Sequence, residues 1–355
     1  MFQTKVLNMF IVLILIFSLL VGCSENTDNT DNNAAANADG SKHPAQSEQV
    51  NYPEKPLTAI VPFAAGGGTD TIMRKITPLV EEVLRESIVI INKPGATGSV
   101  GTQEVYSLAA DGYTLLMAAE NQNLYRTTGI SELSFHNFEP VLLLGRAVPV
   151  IVTRPNSKWN TVQELLADAE QNPGQIKMFS TGPVGISGVV TAMLGREFNK
   201  VPYDGSGPGL AGLLGGHVDV GIVDIPAAKE YVTAGKLKVL AVVNDTKLED
   251  YPDWPALGEE MPEYKKYLPW GPYYGVYVKE GTPEEIVNKL TDAFKTAWET
   301  EEFQQFLKQN NLVPLGISGE EAKEFQQTWE SNTNWLLYEA GVAEDPSIFG
   351  IPKPE

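Results

Sequence analysis

A glycine-rich stretch between a strand and a helix is the clearest chemical signal in the sequence. VPFAAGGGTD, residues 61–70, ends the apolar run LTAIVPF and precedes the helical pattern TIMRKITPLVEEVLRE. Glycines at a strand end let a ligand approach the backbone amides, and a helix start adds unpaired N–H donors and a positive dipole end. The stretch favours a carboxylate or phosphate site, with Thr69 as a hydroxyl donor. A plain tight turn capped by Asp70 is the alternative interpretation.

Three further stretches have the same bare character. They are NKPGATGSVG (92–101), STGPVGISG (180–188) and VPYDGSGPG (201–209). Because such loops recur at strand ends in both halves of the chain, we expect a cleft between two lobes. The first loop is neither a P-loop, since no Gly-Lys-Ser/Thr closes it, nor a GxGxxG dinucleotide loop.

Catalytic and metal-binding patterns are weak by comparison. The histidines are His43, His136 and His217, and none has zinc-ligand spacing. The stretch GISGV lacks the final glycine of a nucleophile elbow, which argues against Ser187 as a nucleophile. Asp219 and Asp224 lie on one strand and are expected to point to opposite faces. We therefore expect no metal and no cofactor.

Basic residues that could pair with a ligand carboxylate are few, and a structural salt bridge is the simpler interpretation of each. The candidates are Arg74, Arg126, Arg146 and Arg154, of which Arg146 falls near a predicted hinge.

Length and composition indicate a soluble two-domain protein. The chain has 355 residues, of which 43% are apolar and 20% charged. Its net charge of −19 disfavours nucleic acid as a partner. The single cysteine, Cys23, excludes an intrachain disulfide and a multi-cysteine metal site.

The N-terminus explains that cysteine. Lys5 precedes the apolar run MFIVLILIFSLL, which is too short for a comfortable membrane span, and LVGC follows. This arrangement resembles the lipobox of bacterial lipoprotein signal peptides, which implies cleavage after residue 22 and a lipid on Cys23. An uncleaved anchor is the alternative. Residues 23–51 contain almost no large apolar side chain and are expected to form a flexible tether.

The rest of the chain alternates strand-like and helical segments, which predicts α/β architecture with parallel sheets. Helix starts are expected at Thr161 with Glu164, at Thr282 with Glu285, and at Ser318 with Glu321, each as a capping box. The aromatic run PWGPYYGVY (269–277) is interpreted as a returning crossover strand, with Trp270 as a side chain that could line the cleft.

In this order the motifs VPFAAGGGTD, INKPGATGSVG, DGYTLLMA, STGPVG, VPYDGSGPGLAGLLGGHVDVGIVD, AGKLKVLAV, YPDWPALGEE and GTPEEIVNKL resemble the TctC or Bug family. Its members are extracytoplasmic solute receptors of tripartite tricarboxylate transporters. The resemblance runs from about Tyr52 to the last helices. It implies a two-lobed, periplasmic-binding-protein-like α/β fold (a Venus flytrap) with a ligand cleft and two crossovers. The lobes are expected at 52–146 with 268–355, and at 147–267.

The resemblance also implies that backbone amides, hydroxyls and water hold a small carboxylate in that cleft. The ligand-binding residues it implies are Phe63, Ala65, Gly66, Gly67, Thr69, Asp70, Asn121, Ser180, Thr181, Gly182, Val184, Tyr203, Gly205 and Asp224. The chain departs from the family pattern at GISGVV, where relatives often have histidine, and at Asp204, where many have lysine. These departures put the usual tricarboxylate ligand in doubt.

The sequence therefore predicts a lipid-anchored, extracytoplasmic, monomeric solute receptor that serves membrane transporter subunits and performs no chemistry. A citrate-like tricarboxylate or a dicarboxylate is the expected ligand class. A ligand sensor for a signalling partner, a cleft hydrolase and a purely structural surface protein are the alternatives. A sensor would share the fold, a hydrolase would need a nucleophile–base pair, and a structural protein would not need four glycine-rich loops.

Overall fold

A computed structural model describes residues 51–354, which lie in one compact unit. The predicted signal peptide (1–22), Cys23 and all but the last residue of the predicted tether fall outside the described residues. Within that range no helix is both long and apolar enough to cross a membrane.

The described residues form two β-sheets with helices packed against them. The strands are β1 (Leu57–Val61), β2 (Ile88–Asn92), β3 (Thr114–Ala119), β4 (Phe138–Arg146), β5 (Pro149–Thr153), β6 (Lys177–Ser180), β7 (Asn199–Pro202), β8 (Val220–Asp224), β9 (Lys238–Val242), β10 (Tyr273–Lys279) and β11 (Val313–Ile317). The helices are α1 (Gly68–Leu84), α2 (Ser99–Ser107), α3 (Val162–Gln171), α4 (Ile186–Leu194), α5 (Ser206–Leu214), α6 (Ile225–Thr233), α7 (Leu257–Glu260), α8 (Glu284–Trp298), α9 (Glu301–Gln309) and α10 (Gly319–Glu339).

Strand order confirms the predicted two-lobed α/β fold. The first sheet has the order β11-β4-β10-β3-β1-β2, and the second has the order β7-β6-β8-β5-β9. The chain passes from the first sheet to the second between β4 and β5, and it returns between β9 and β10. These two crossings agree with the predicted crossovers, whereas the lobe boundaries at 146/147 and 267/268 stay predictions.

The expectation of parallel sheets is wrong in part. Parallel pairing occurs where a helix returns the chain, as between β1 and both β2 and β3, and between β6 and both β7 and β8. The first strand after each crossing, β5 or β10, runs antiparallel to both of its neighbours. A crossing strand enters its sheet from the opposite lobe, so the local βαβ rhythm does not predict its direction.

Buried apolar side chains hold both sheets in place. All five residues of β5 and all five of β8 are buried, as is most of β1. One continuous apolar cluster includes Leu116 of the first sheet and Met178 of the second. The loops at the strand ends are thus mounted on a packed scaffold, which is the arrangement that positions binding residues well.

The predicted helix caps have three different outcomes. Thr161 is the N-cap of α3, where its hydroxyl accepts from the Glu164 amide at 3.2 Å. Ser318 is the N-cap of α10 but makes no side-chain cap bond. The cap predicted at Thr282 is wrong, because α8 begins after Pro283 and the Thr282 hydroxyl donates to the Lys279 carbonyl at 2.8 Å.

Candidate functional site

A small cavity lies where loops from the carboxyl ends of strands in both sheets meet. Its volume is about 40 Å³. The first sheet contributes residues after β1, residues at and after the end of β3, and part of β10. The second contributes residues after β6 and β7 and the last residue of β8. The lining residues are Phe63, Gly67, Gly68, Thr69, Ala119, Glu120, Asn121, Thr181, Gly185, Ile186, Ser206, Asp224, Pro272 and Tyr274.

Three helices begin at this cavity, and each has glycine as its N-cap. Gly67 precedes α1, Gly185 precedes α4 and Gly205 precedes α5, and none supplies a side-chain cap. The first backbone bonds back to these caps come from Thr71 at 2.9 Å, Val189 at 3.0 Å and Gly209 at 3.1 Å. The amides before those residues have no partner within their helix, so donors and positive dipole ends converge on one space.

Asp224 joins the two sheets at the cavity wall. It ends β8, caps α6 through the Ala227 amide at 3.2 Å, and accepts a hydrogen bond from the hydroxyl of Tyr274 in β10. A Cβ on Gly68 would lie 1.5 Å from Asp224 Oδ2. Only glycine therefore allows the start of α1 to approach β8 so closely. Burial raises the pKa of Asp224.

Glu120 places a second carboxyl group in the cavity. It follows β3 directly and is 1% exposed. Its Oε2 has no hydrogen-bond partner among residues 51–354. Burial raises the pKa of Glu120 to about 8, and the negative charge of Asp224 acts in the same direction.

The strand-end loops of the two sheets touch around the cavity. Asn121 Nδ2 donates to the Val184 carbonyl at 2.9 Å, and the Ala64 amide donates to the Asp204 carbonyl at 3.4 Å. The Gly182 backbone lies against Thr97, whose Oγ1 would be 1.9 Å from an added Cβ. The cavity is therefore closed over on the side where these loops meet.

Comparison with known proteins assigns the chain to a family. The sequence profile described as "Tripartite tricarboxylate transporter family receptor" (TctC) matches residues 72–341. The match covers well over half of the chain. The chain belongs to the TctC family.

Relatives and solved structures agree with the assignment. The chain is 28% identical over 311 residues to the "UPF0065 protein in gbd 5'region" of Cupriavidus necator, with 85% of this chain and 92% of the relative covered. It resembles the solved periplasmic binding protein BugD at 28% identity and a TM-score of 0.77, covering 83% of this chain and 100% of BugD. It also resembles R. palustris Rpa4515, solved with adipate, at 25% identity and a TM-score of 0.74, with coverage of 83% and 100%.

These findings confirm the predicted fold and receptor class. TctC proteins are solute-binding receptors of the periplasmic type. Membership of this family implies a location outside the cytoplasm and a role with a tripartite transporter.

The TctC cavity includes six of the residues that the sequence singled out: Phe63, Gly67, Thr69, Asn121, Thr181 and Asp224. A neighbouring groove is lined by Ser180, Gly182 and Tyr203 together with Phe63 and Thr181. Gly205 caps α5, and the Val184 carbonyl holds Asn121. Ala65 and Gly66 are exposed on the first loop and do not line the cavity. The ligand roles of all these residues stay predictions.

Asp70 supports the first loop from beneath rather than lining the cavity. Its carboxylate accepts from the Gly66 amide at 3.0 Å, from Arg74 Nε at 2.9 Å and from Asn92 Nδ2 at 2.9 Å. Burial acts to raise the pKa of Asp70, but these hydrogen bonds outweigh it and lower the pKa.

Sequence reasoning missed several lining residues: Gly68, Ala119, Glu120, Gly185, Ile186, Ser206, Pro272 and Tyr274. Gly68, Gly185 and Ser206 lie inside stretches that the glycine pattern had already marked. Glu120 offered a signal of its own, because it is an ionisable residue directly after the apolar run LLMAA of β3. Tyr274 gave none, since it is one ring within an aromatic run.

The candidate arginines lie elsewhere. Arg74 pairs with Asp70, Arg126 lies over the Phe349 ring, and Arg154 donates to the Leu213 and Val218 carbonyls. Arg146 borders a separate groove beside Trp270 and Trp329. Trp270 lines that separate groove and does not line the cavity between the sheets, so the expectation that it could line the cleft is not met there.

No cation therefore lines this cavity among the described residues. Nor, between residues 51 and 354, does any group of three or more His, Cys, Asp and Glu side chains form a place for a metal ion.

Proposed function

We propose that this protein binds a small carboxylate in the cavity between its two sheets and presents it to the membrane subunits of a tripartite tricarboxylate-type transporter. The observation that carries the proposal is the convergence of three uncapped, glycine-led helix starts on one closed space. A carboxylate fits such a space because free amides and dipole ends stabilise negative charge without a basic side chain. The adipate in the R. palustris relative supports the same ligand class.

Ligand capture requires the two sheets to move apart and close again. The cavity of about 40 Å³ has room for only a few water-sized groups, so a larger solute enters when the loops separate. The polypeptide crosses between the sheets twice, near 146/147 and near 267/268, and we propose these points as the hinge. Because a ligand favours closure only through contacts that are absent when open, the residues facing it from both lobes determine affinity.

The proposal contains no catalytic step. Ser187, the one nucleophile candidate from the sequence, is buried at the start of α4, and its hydroxyl accepts from the Thr181 amide at 3.4 Å. Its partner is thus a backbone donor rather than a base that could activate it.

Attachment to the membrane belongs to the same proposal. LVGC places Leu20 and Gly22 before Cys23 as in a lipobox. A lipid on Cys23 and the segment 23–51 would hold a monomeric receptor at the outer face of the cytoplasmic membrane.

A thermal-shift screen tests the proposal. Refolded, ligand-free protein is heated with a panel of mono-, di- and tricarboxylates and amino acids, with sugars and simple amines as controls. A ligand at a hundred times its dissociation constant stabilises the folded state by about 2.7 kcal/mol, which raises the melting temperature measurably. We expect a shift from at least one carboxylate and none from sugars. A shift from sugars alone would contradict the proposal.

A further inference from the structure

The cavity that we propose as the carboxylate site also carries two buried carboxyl groups. Glu120 and Asp224 both line it, and each is 1% exposed. No lysine, arginine or histidine is among its lining residues. An acidic wall of this kind is unexpected in a receptor for di- or tricarboxylates, because a second ligand carboxylate would meet like charge.

The Asp224 carboxyl group is hydrogen-bonded, whereas one oxygen of Glu120 is not. The Asp224 oxygens accept from the Ala227 amide at 3.2 Å and from the Tyr274 hydroxyl. Glu120 Oε2 has no partner within the described part of the chain. A buried acceptor without a donor is costly, so this oxygen marks a place where a ligand can supply the missing hydrogen bond.

The titratable groups that interact electrostatically with Glu120 give its Oε2 neither a hydrogen bond nor a positive charge. They are Asp224, Tyr125, Tyr273, Tyr274 and Tyr277. The Tyr274 hydroxyl donates to Asp224 and the Tyr125 hydroxyl donates to the Thr97 carbonyl at 3.2 Å. The Tyr273 hydroxyl bonds with Asn123 and Gln326. The Tyr277 hydroxyl and Glu120 Oε2 are both left without a hydrogen-bond partner among residues 51–354.

We propose that the solute is an amino-carboxylate, whose carboxylate lies at the helix starts while its ammonium group donates to Glu120. This inference rests on the proposed function and narrows its ligand class. The Asp224 carboxyl group lies beside the start of α1 and would repel an anion there. We therefore assign the ligand carboxylate to the starts of α4 and α5. One carboxylate and one ammonium match the one donor-rich wall and the one acidic wall that the cavity offers.

Matched probes test this assignment. Titration calorimetry on refolded protein uses sets of equal chain length, from three to six carbons: the monocarboxylate, the α,ω-dicarboxylate and the ω-amino carboxylate, with α-amino acids as a second series. We expect the tightest ligand to carry an ammonium group and to bind at least tenfold tighter than its dicarboxylate counterpart. A dicarboxylate that binds tighter than its amino counterpart overturns the assignment but leaves the receptor function intact. Failure of all probes contradicts the receptor function as well.

Substitution of Glu120 identifies the residue responsible. Glu120→Gln keeps the size of the side chain and removes its charge, so we expect the preference for the ammonium to fall at least tenfold. Glu330→Gln is the matched control, because Glu330 is also buried, in α10, but does not line the cavity. An unchanged preference in Glu120→Gln, or an equal loss in both variants, overturns the role of Glu120.

Proton exchange gives a readout on the unaltered protein. Because burial raises the pKa of Glu120 to about 8, an ammonium that binds its ionised form displaces a proton near neutral pH. We expect calorimetry at pH 7 in two buffers of different ionisation enthalpy to report net proton release on binding. Net proton uptake would instead indicate a protonated Glu120 that donates to an anionic ligand, and it would overturn the proposal.

Discussion

At the scale of single residues, burial decides the chemistry of the cavity. Glu120 and Asp224 are ionisable side chains held where water is largely excluded, and Glu120 lacks a hydrogen-bond partner for one oxygen. Desolvation disfavours the charged form of such a group, so its state depends on pH and on what enters the cavity.

The pH dependence of folding should reveal Glu120. In the folded protein the Glu120 carboxyl group keeps its proton up to about pH 8, whereas an exposed glutamate loses its proton near pH ~4.3. The folded state then holds more protons between these values, so stability falls as pH rises across the interval, by up to about 1.4 kcal/mol per pH unit.

We therefore predict that Glu120→Gln is more stable than the wild type at pH 8 and that the difference disappears below about pH 4. Denaturant melts at pH 4, 6 and 8 measure it. Glu324→Gln, on the exposed face of α10, is the control and should show no such trend. A constant difference between Glu120→Gln and the wild type at all three values would refute the raised pKa.

Asp70 presents the opposite case, a buried carboxylate that is fully paired. Asp70→Asn weakens the bonds from Gly66, Arg74 and Asn92, and we predict a loss of about 2 kcal/mol at pH 7. Since the folded pKa of Asp70 is lowered, its contribution is present above the unfolded pKa of about 3.9 and is lost as pH falls through the lower, folded value. Melting curves at pH 7 and pH 3 should show the gap narrowing in acid; a gap that widens there would contradict this assignment.

The sequence located the backbone part of the site better than its side chains. Thr69 lines the cavity as expected from its glycine-rich loop at a strand end, whereas the position of Asp224 was implied only by the family resemblance. Tyr274 could not be predicted, because its importance arises from a contact between β8 and β10 that has no local sequence signature. The position of Glu120 directly after an apolar run is a local signal, but its burial arises from tertiary packing, which that signal does not reveal.

At the scale of elements, helix starts separate structural capping from ligand binding. α3 begins with Thr161, whose hydroxyl satisfies an amide, while α1, α4 and α5 begin with glycine and leave amides open. The cap prediction succeeded at Thr161 and failed at Thr282 for a physical reason. Threonine can also donate to a preceding carbonyl, and the motif does not distinguish these two uses.

Thr161 and Ser318 allow a paired test of capping. Thr161→Ala removes an acceptor from the Glu164 amide and should cost about 1 kcal/mol of folding free energy. Ser318→Ala should cost far less, because the Ser318 side chain makes no cap bond. Urea unfolding of both variants measures the difference, and equal losses would count against the capping geometry described here.

At the scale of the whole molecule, the chain crosses twice between the two sheets that enclose the candidate site. The alternating strands and helices, with the family resemblance, predicted the α/β class and the two lobes. Strand direction was not predictable, because β5 and β10 are set antiparallel by crossings that join distant parts of the chain.

The proposed membrane attachment depends on Cys23, which lies outside the described residues. We predict that Cys23→Ala moves the protein from the membrane fraction to the soluble fraction, because the proposed lipid is joined to that thiol. Ser24→Ala, at the next residue, is the control and should stay with the membrane. Fractionation followed by immunoblotting measures both, and Cys23→Ala that remains membrane-bound would refute lipid attachment at this site.

The central claim is that a small carboxylate-bearing solute binds in the cavity between the two sheets, one wall of which is the contact between Gly68 of α1 and Asp224 of β8. Calorimetric titration of wild type, Gly68→Ala and Gly67→Ala with the best ligand from the panel tests it most directly. A methyl group on Gly68 would collide with Asp224 Oδ2, whereas one on Gly67 would meet nothing closer than 3.6 Å. We predict a loss of roughly tenfold or more in affinity for Gly68→Ala and a smaller loss for Gly67→Ala. Wild-type affinity in Gly68→Ala would place the ligand elsewhere and contradict the claim.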